Sequence, residues 1–312
     1  MTERNTTGSI PMNTLHDIFG DKLKENVAMS GYTTARVGGK VDALVMIRNS
    51  ADLEHAVSHL WQANIPFYVI GSGANVLVPD QGLHGVVLIN RANAIQIEAE
   101  SNPPSVRAES GAIFSSVARQ VALRGFSGLE WACAIPGTVG GAVYGNAGAF
   151  GGDVSSSLIV AEILQPNGKV VWSREEMQYA YRSSRIKRSH EPAIVLAAKM
   201  ALSHSDAASV QAQMDAFSAK RRSTQPPGAS MGSMFKNPPG DHAGRLIEAA
   251  GLKGTRIGGA EVSTVHANFF VHDENATAAD LYKLIRLVQS KVMEIANVEL
   301  ELEVELLGDW QD

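Results

Sequence analysis

The sequence predicts an α+β protein in two parts, on three observations. Strand-like and helix-like segments are mixed, without the regular alternation of a doubly wound sheet. The composition changes after about residue 205, where β-rich runs give way to helices and a loop rich in proline and glycine. Glycine is abundant, with 29 residues in 312, and it clusters at 71–73, 137–152, 228–232 and 251–259. Glycine is used where backbone takes positive φ or approaches a ligand closely. The expected organisation is a tail and lead-in helix (1–27), a larger domain (28–205) and a smaller C-terminal domain (206–312).

Ser50 opens a helix whose apolar residues Leu53, Ala56, Val57, Leu60 and Trp61 recur at helical spacing. IPFYVI (65–70) reads as a buried strand that runs into GSGANVLVPD (71–80). GVVLIN (85–90), IQIEAE (95–100) and SVRAES (105–110) read as further strands, and IFSSVARQVAL (113–123) as an amphipathic helix. SLIVAEILQPNGKVVWS (157–173) predicts a hairpin turning at Pro166-Asn167-Gly168. AIVLAAKMAL (193–202) predicts another strand, DAASVQAQMDAFSAKRR a helix, and HAGRLIEAAGLKG a short helix ending at glycine. Thr277 and Asp280 form a capping box for a helix burying Leu281, Leu284, Ile285, Val288, Val292 and Ile295. VELELEVELLG (298–308) alternates like a half-buried strand.

A net charge of −5 gives no reason to expect a nucleic-acid partner, and small molecules fit better. A single cysteine, Cys133, excludes an internal disulfide and suits a reducing compartment. The polar start MTERNTTGSIPMN lacks the apolar centre of a signal peptide, and no apolar run approaches membrane-spanning length. These features predict a cytoplasmic protein, and no metal-ligating cluster stands out.

Five segments could carry chemistry. GSGANVLV follows a strand and could offer backbone N–H groups to a pyrophosphate, or be a plain turn. It is neither the dinucleotide fingerprint, since Val76 stands at the sixth position, nor a Walker loop. IPGTVGGAVYGNAGAFGG repeats glycine every three or four residues, for close packing or for a planar ligand. YAYRSSRIK (179–187) is a solvated basic stretch or the source of a carboxylate-binding arginine, Arg182. The row Glu299, Glu301, Glu303, Glu305 reads first as the polar face of a strand. QPPGASMGSMFKNPPG (225–240) is a turn, a linker, or a loop that holds something still.

Taken with YTTARVGG (32–39), GLEWACAIPGTVGGAVYGNAGAFGG, YRSSRIK, GSMFKNP, AGRLIEAAGLKGTRIGGAEVSTVHANFFV and LELEVELLG, these segments resemble the UDP-N-acetylenolpyruvoylglucosamine reductase family from about residue 28 to 308. The resemblance implies an α+β fold: an FAD-binding domain of the PCMH/vanillyl-alcohol-oxidase type in two subdomains, then a substrate-binding domain. It implies non-covalent FAD, NADPH as hydride donor, and reduction of UDP-N-acetylglucosamine enolpyruvate to UDP-N-acetylmuramate for peptidoglycan synthesis. It implies three catalytic residues: Arg182 on the enolpyruvyl carboxylate, Ser233 as proton donor, and Glu303 near the same carboxylate. FAD contacts are expected from Gly71, Ser72, Gly73, Ala74, Asn75, Val76 and Leu77, and from Ala134, Ile135, Pro136, Gly137, Thr138, Gly140, Gly141, Asn146, Ala147 and Gly148. Substrate contacts are expected from Arg221, Lys236, Asn237 and His266, with Asn268 in support. His266 reads equally well as a structural histidine.

Fifty residues separate Arg182 from Ser233, which matches a shorter subclass without the family's extra loop and its clamping tyrosine. Cys133 reads as a packed residue, and the protein as a monomer. Two competing classes remain. An oxidase of the same fold would not share the C-terminal block, and a non-catalytic nucleotide-binding module would not need Arg182, Ser233 and Glu303 together.

Overall fold

The computed structural model describes residues 10–228 and 230–310. Residues 1–9 of the expected tail lie outside that range, and helix Met12–Phe19 follows them. The chain forms two compact units: Met1–Glu25, Ala43–Ser72 and Gly85–Ala219 in the first, Asn26–Asp42, Gly73–His84 and Lys220–Asp312 in the second. This differs from a single cut near residue 205, because two early segments pack with the C-terminal residues. Ala35, Val37 and Leu77 of those segments are buried in the core formed with the C-terminal residues, and backbone approaches closely beside them. A Cβ on Gly39 would stand 2.0 Å from the Asp80 carbonyl oxygen, so only glycine fits there. The Asp80 carboxylate in turn accepts from Ala278 N (2.9 Å) and Ala279 N (2.8 Å), at the start of helix Ala278–Ala296.

The first unit has two cores. In one, a four-stranded sheet runs in the order Leu23–Ala28, Lys40–Ile47, Leu83–Asn90, Phe67–Ile70, with the last pair parallel. Helix Ser50–Gln62 places Leu53, Ala56, Val57 and Leu60 in that core, as its spacing predicts, and Asn49 caps it by accepting from Asp52 N at 2.7 Å. Each such buried leucine or valine contributes about 1.5–3 kcal/mol.

The other core lies under a five-stranded antiparallel sheet ordered Gly168–Ser173, Leu158–Gln165, Ile194–Ala201, Ser105–Glu109, Ile95–Glu98. The expected hairpin closes at Gln165 opposite Gly168, leaving Pro166 and Asn167 as the turn. Helix Phe114–Ala122 buries Phe114, Val117, Ala118 and Val121, and Phe114 meets Trp131 edge-on at 5.4 Å. Cys133 is buried here, as expected for a packed residue. Glu109 ties this sheet to helix Ser50–Gln62. Its carboxylate accepts from Ser50 N (3.0 Å), Ser50 Oγ (2.6 Å) and Ala94 N (2.9 Å).

In the second unit, helix Ala278–Ala296 starts with the expected capping box, Thr277 and Asp280 bonding reciprocally. Its buried stripe runs through Val292. Ile295, expected in the core, is 58% exposed, because the stripe ends one turn before Asn297 closes the helix. The expected strand 298–308 is also corrected. Only Glu305–Leu306 is strand, parallel to Val76–Leu77. Upstream, Leu302 bridges Phe235. The tract alternates because two different neighbours clamp it in turn, not because it lies in one ladder.

Burial raises the Glu109 pKa, and the bonds from Ser50 and Ala94, with the nearby Arg107 charge, outweigh it, so the carboxyl sits below its ordinary value. The folded group is therefore ionised more readily than the unfolded one. Its stabilisation is complete above the unfolded value near ~4.3 and disappears as pH falls through the lower folded value. Glu109→Gln should cost about 1–3 kcal/mol at neutral pH and flatten the acid limb of a Tm-against-pH curve.

Candidate active site

Two groups of the expected residues are brought together, one in each unit. In the first unit, Gly71 meets Thr138: a Cβ on Gly71 would lie 2.2 Å from Thr138 Oγ1. Arg91 Nη1 donates to the Gly71 carbonyl at 2.8 Å, a tie that no sequence pattern announces. Thr138 starts helix Val139–Gly145 without a side-chain capping bond. That helix is anchored instead by its backbone, Val139 N to Ala112 O (2.9 Å) and Gly140 N to Ser110 O (2.7 Å). Pro136 and Gly141 are exposed, whereas Ala134, Ile135, Gly137, Gly140, Ala147 and Gly148 are half-buried, so 134–148 presents an open edge of mostly bare backbone.

Asn146 differs from these. Its side chain is buried and turned into the protein, donating to Ala180 O (3.1 Å) and Asp153 Oδ2 (3.4 Å) and accepting from Ser155 N (2.9 Å). Arg182 sits at the second position of a two-residue turn closed by Ala180 and Ser183, at φ 52°.

The second group is built on Asn268. Its Oδ1 accepts from Phe235 N at 2.9 Å and its Nδ2 donates to Phe235 O at 2.8 Å. Met234 N adds a bond to Asn268 O at 2.8 Å. Met234 and Phe235 are fully buried, and the neighbouring Ser233 is half-buried. Glu303 N donates to Met234 O at 2.9 Å, so one peptide links the Ser233 loop to Glu303. On its other side the Glu303 carbonyl accepts from Asn75 Nδ2 at 2.9 Å. Lys236 bonds Glu301 through both backbone (2.8 Å) and side chain (2.9 Å).

The remaining expected contacts have visible local work. Asn237 Oδ1 accepts from Ala243 N at 3.0 Å, satisfying the first N–H of helix Ala243–Ala249. His266 Nδ1 accepts from Asn268 N at 3.2 Å, and burial lowers its pKa, with the Lys253 charge assisting. A neutral ring keeps that acceptor. Arg221 lies half-buried in the last turn of helix Ala207–Thr224. Of 73–77, Gly73 is fixed by Thr34, whose N–H bonds its carbonyl at 3.0 Å, and Leu77 is a core residue. Ala74 has no side-chain hydrogen-bonding group, and Val76 pairs with Glu305.

Residues 41–174 match a family model described as an FAD binding domain. The fold and the glycine cradle therefore define an FAD-binding oxidoreductase. Residues 224–307 match the model of the UDP-N-acetylenolpyruvoylglucosamine reductase C-terminal domain. The reductase of Chloroflexus aggregans is 42% identical over 292 residues, covering 91% of this chain and 97% of that protein. The reductase of Listeria welshimeri is 41% identical over 301 residues, covering 96% and 100%. A crystal structure of the reductase of Thermus caldophilus superposes with a TM-score of 0.77 at 32% identity, covering 90% of this chain and 98% of that one. The chain belongs to the UDP-N-acetylenolpyruvoylglucosamine reductase family.

The cradle suits FAD on its own geometry. Ser72 Oγ is buried with no hydrogen-bond partner among the described residues, beside bare backbone at Gly71. A buried hydroxyl left unpaired is costly, and a phosphate oxygen would satisfy it. Ser72→Ala should therefore leave the flavin-free protein at least as stable as wild type. The same change should raise the FAD dissociation constant about tenfold, the equivalent of one hydrogen bond to a charged group. Thermal melting and flavin-fluorescence titration read the two effects separately. Asn268→Ala strands the buried N–H and C=O of Phe235, which should lower unfolding stability by about 2–5 kcal/mol in chemical denaturation.

Proposed function

We propose that this chain reduces UDP-N-acetylglucosamine enolpyruvate to UDP-N-acetylmuramate with NADPH, the reaction implied by its family's name. The observation that carries the reading is the link between the Ser233 loop and Glu303 through Met234, alongside the glycine cradle of the FAD-binding part. Gly71, Ser72 and Thr138 with 134–148 would hold the cofactor. Bound FAD would supply hydride transfer between NADPH and the enolpyruvyl double bond.

The chain's own residues then have defined tasks. Hydride arriving at the terminal carbon leaves negative charge on the adjacent carbon and its carboxylate. In this reading the Arg182 guanidinium binds the carboxylate and stabilises that charge. Ser233 Oγ–H protonates the adjacent carbon, forming the C–H bond of a D-lactyl ether, and recovers its proton from water. Glu303 faces the same carboxylate and orients the donor. A hydroxyl is a weak acid, and it serves because the carbanion it meets is far more basic. Lys236 and Arg221 suit the diphosphate of the substrate by charge.

Monomeric state and the shorter-subclass assignment belong to the same reading. Among the described residues no helix is long and apolar enough to cross a membrane.

Two measurements test this. Under anaerobic conditions the protein is reduced with NADPH, the enolpyruvyl substrate is added, and oxidised-flavin absorbance should return. Absence of that return refutes the assignment. Ser233→Ala should leave flavin reduction by NADPH fast and slow the return about 10²-fold or more, the usual worth of a positioned acid. Equal rates with wild type in both halves would remove Ser233 from the role.

A further inference from the structure

The turn that carries Arg182 has little structure of its own. Its one bridge joins Ala180 and Ser183, by N–H to carbonyl bonds of 3.0 and 3.1 Å. Arg182 holds φ 52°, a left-handed conformation that residues other than glycine adopt infrequently. Ties of this turn within the first unit include Asn146 Nδ2 to Ala180 O (3.1 Å), Ser184 Oγ to Tyr144 O (2.6 Å), and Arg188 Nη1 to Ser183 Oγ (3.2 Å). The first two lead to the C-terminal end of helix Val139–Gly145.

Asn146 is suited to this place. It closes the helix in the left-handed conformation (φ 46°, ψ 56°), which asparagine tolerates better than most residues. Its amide is fully used, with both hydrogens donated, to Ala180 O and Asp153 Oδ2, and the oxygen accepting from Ser155 N. The N-terminal end of the same helix is the cradle at Thr138–Gly141. Seven residues span about 10 Å. The cradle and the Arg182 turn are thus mounted on opposite ends of one short helix.

We propose that Asn146 is a positioning residue for Arg182, its amide fixing the Arg182 turn to the helix that begins at the cofactor cradle. The proposal rests on the reading in which Arg182 engages the substrate carboxylate. It turns an expected cofactor contact into a link that sets where the carboxylate-binding arginine stands.

The test uses the FAD-loaded full chain. Asn146→Asp keeps the acceptor for Ser155 N and the tolerance for positive φ, and removes the donor facing Ala180 O. Adding Asp153→Asn restores an amide–carboxylate pair between 146 and 153 without restoring the bond to Ala180. Asn146→Gly removes the amide without adding charge, and serves if Asn146→Asp fails to fold. Each variant is read in three ways: flavin reduction by NADPH, reoxidation by the enolpyruvyl substrate, and amide hydrogen exchange across 178–184.

Reoxidation should slow at least about tenfold more than reduction, since a misplacement near 1 Å costs up to about 10²-fold. Exchange at 180–183 should rise. In an Arg182→Lys background, Asn146→Asp should add little further loss, because the two act through one path. Full recovery in the double swap, losses that multiply with Arg182→Lys, or unchanged exchange would each overturn the proposal. If Arg182→Lys alone reoxidised at the wild-type rate, the role of Arg182 would fall, and the exchange data would still decide whether Asn146 holds the turn.

Discussion

Irregular backbone that is buried must have its N–H and C=O groups paired, and most of the candidate site segments here are irregular. No ladder satisfies 233–236, 301–304 or the turn at 180–183 beyond single bridges. Side-chain amides take the place of the missing ladder. Asn268 meets both polar groups of Phe235, Asn75 meets the Glu303 carbonyl, Asn146 meets Ala180, and Asn237 meets the first N–H of the helix that follows its own loop. An amide suits this task because it carries two donors and an acceptor on a short stem, and so reproduces a peptide's own pairing.

The chemistry inherits its precision from that pairing. A serine hydroxyl is useful as an acid only at a fixed distance from the carbon it protonates, so the loop around it must be stiff before the substrate arrives. Pro226, Pro227, Pro238 and Pro239 lower the loop's freedom in the unfolded chain, which reduces the entropy of ordering it. Met234 and Phe235, both fully buried, anchor its centre, while Ser233 beside them keeps partial exposure. The strong hydrophobic anchor and the hydroxyl proposed as proton donor are adjacent residues.

Legibility in the sequence followed periodicity. The helices at 50–62, 114–122 and 278–296 could be read because their apolar residues recur on one face, and the hairpin at 158–173 because Pro166-Asn167-Gly168 marks its turn. The same reasoning misjudged 298–308, where the period of two comes from two successive partners, and Ile295, where the stripe outlasts the surface it packs on. It also treated residues 28–42 as part of the larger domain. Ala35 and Val37 are buried in the core of the C-terminal unit and Gly39 packs bare backbone on Asp80, and so short a segment shows no period that would assign it to either part. Glycine clustering marked the cradle. Only the structure shows that Asn146 within it serves Ala180, because hydrogen bonds across 34 residues leave no local pattern.

The four glutamates near the C-terminus show how structure divides residues that alternation makes equivalent. Glu299 and Glu301 are exposed, and Glu301 is paired with Lys236 at 2.9 Å. Glu305 lies in the short parallel pairing with Val76, its N–H bonded to Asn75 O at 2.9 Å. Glu303 is the one whose peptide is held between Met234, next to Ser233, and Asn75, which follows the glycines of 71–73. A carboxylate proposed to act beside a substrate carboxylate and a serine must be held at a fixed place. It needs a backbone that cannot drift, and at Glu303 that restraint comes from the bond at Met234 on one side and from Asn75 on the other. Glu301 and Glu305 are backbone-bonded too, to Lys236 and Asn75, so what sets Glu303 apart is its tie to the residue that follows Ser233, which fits the role proposed for it.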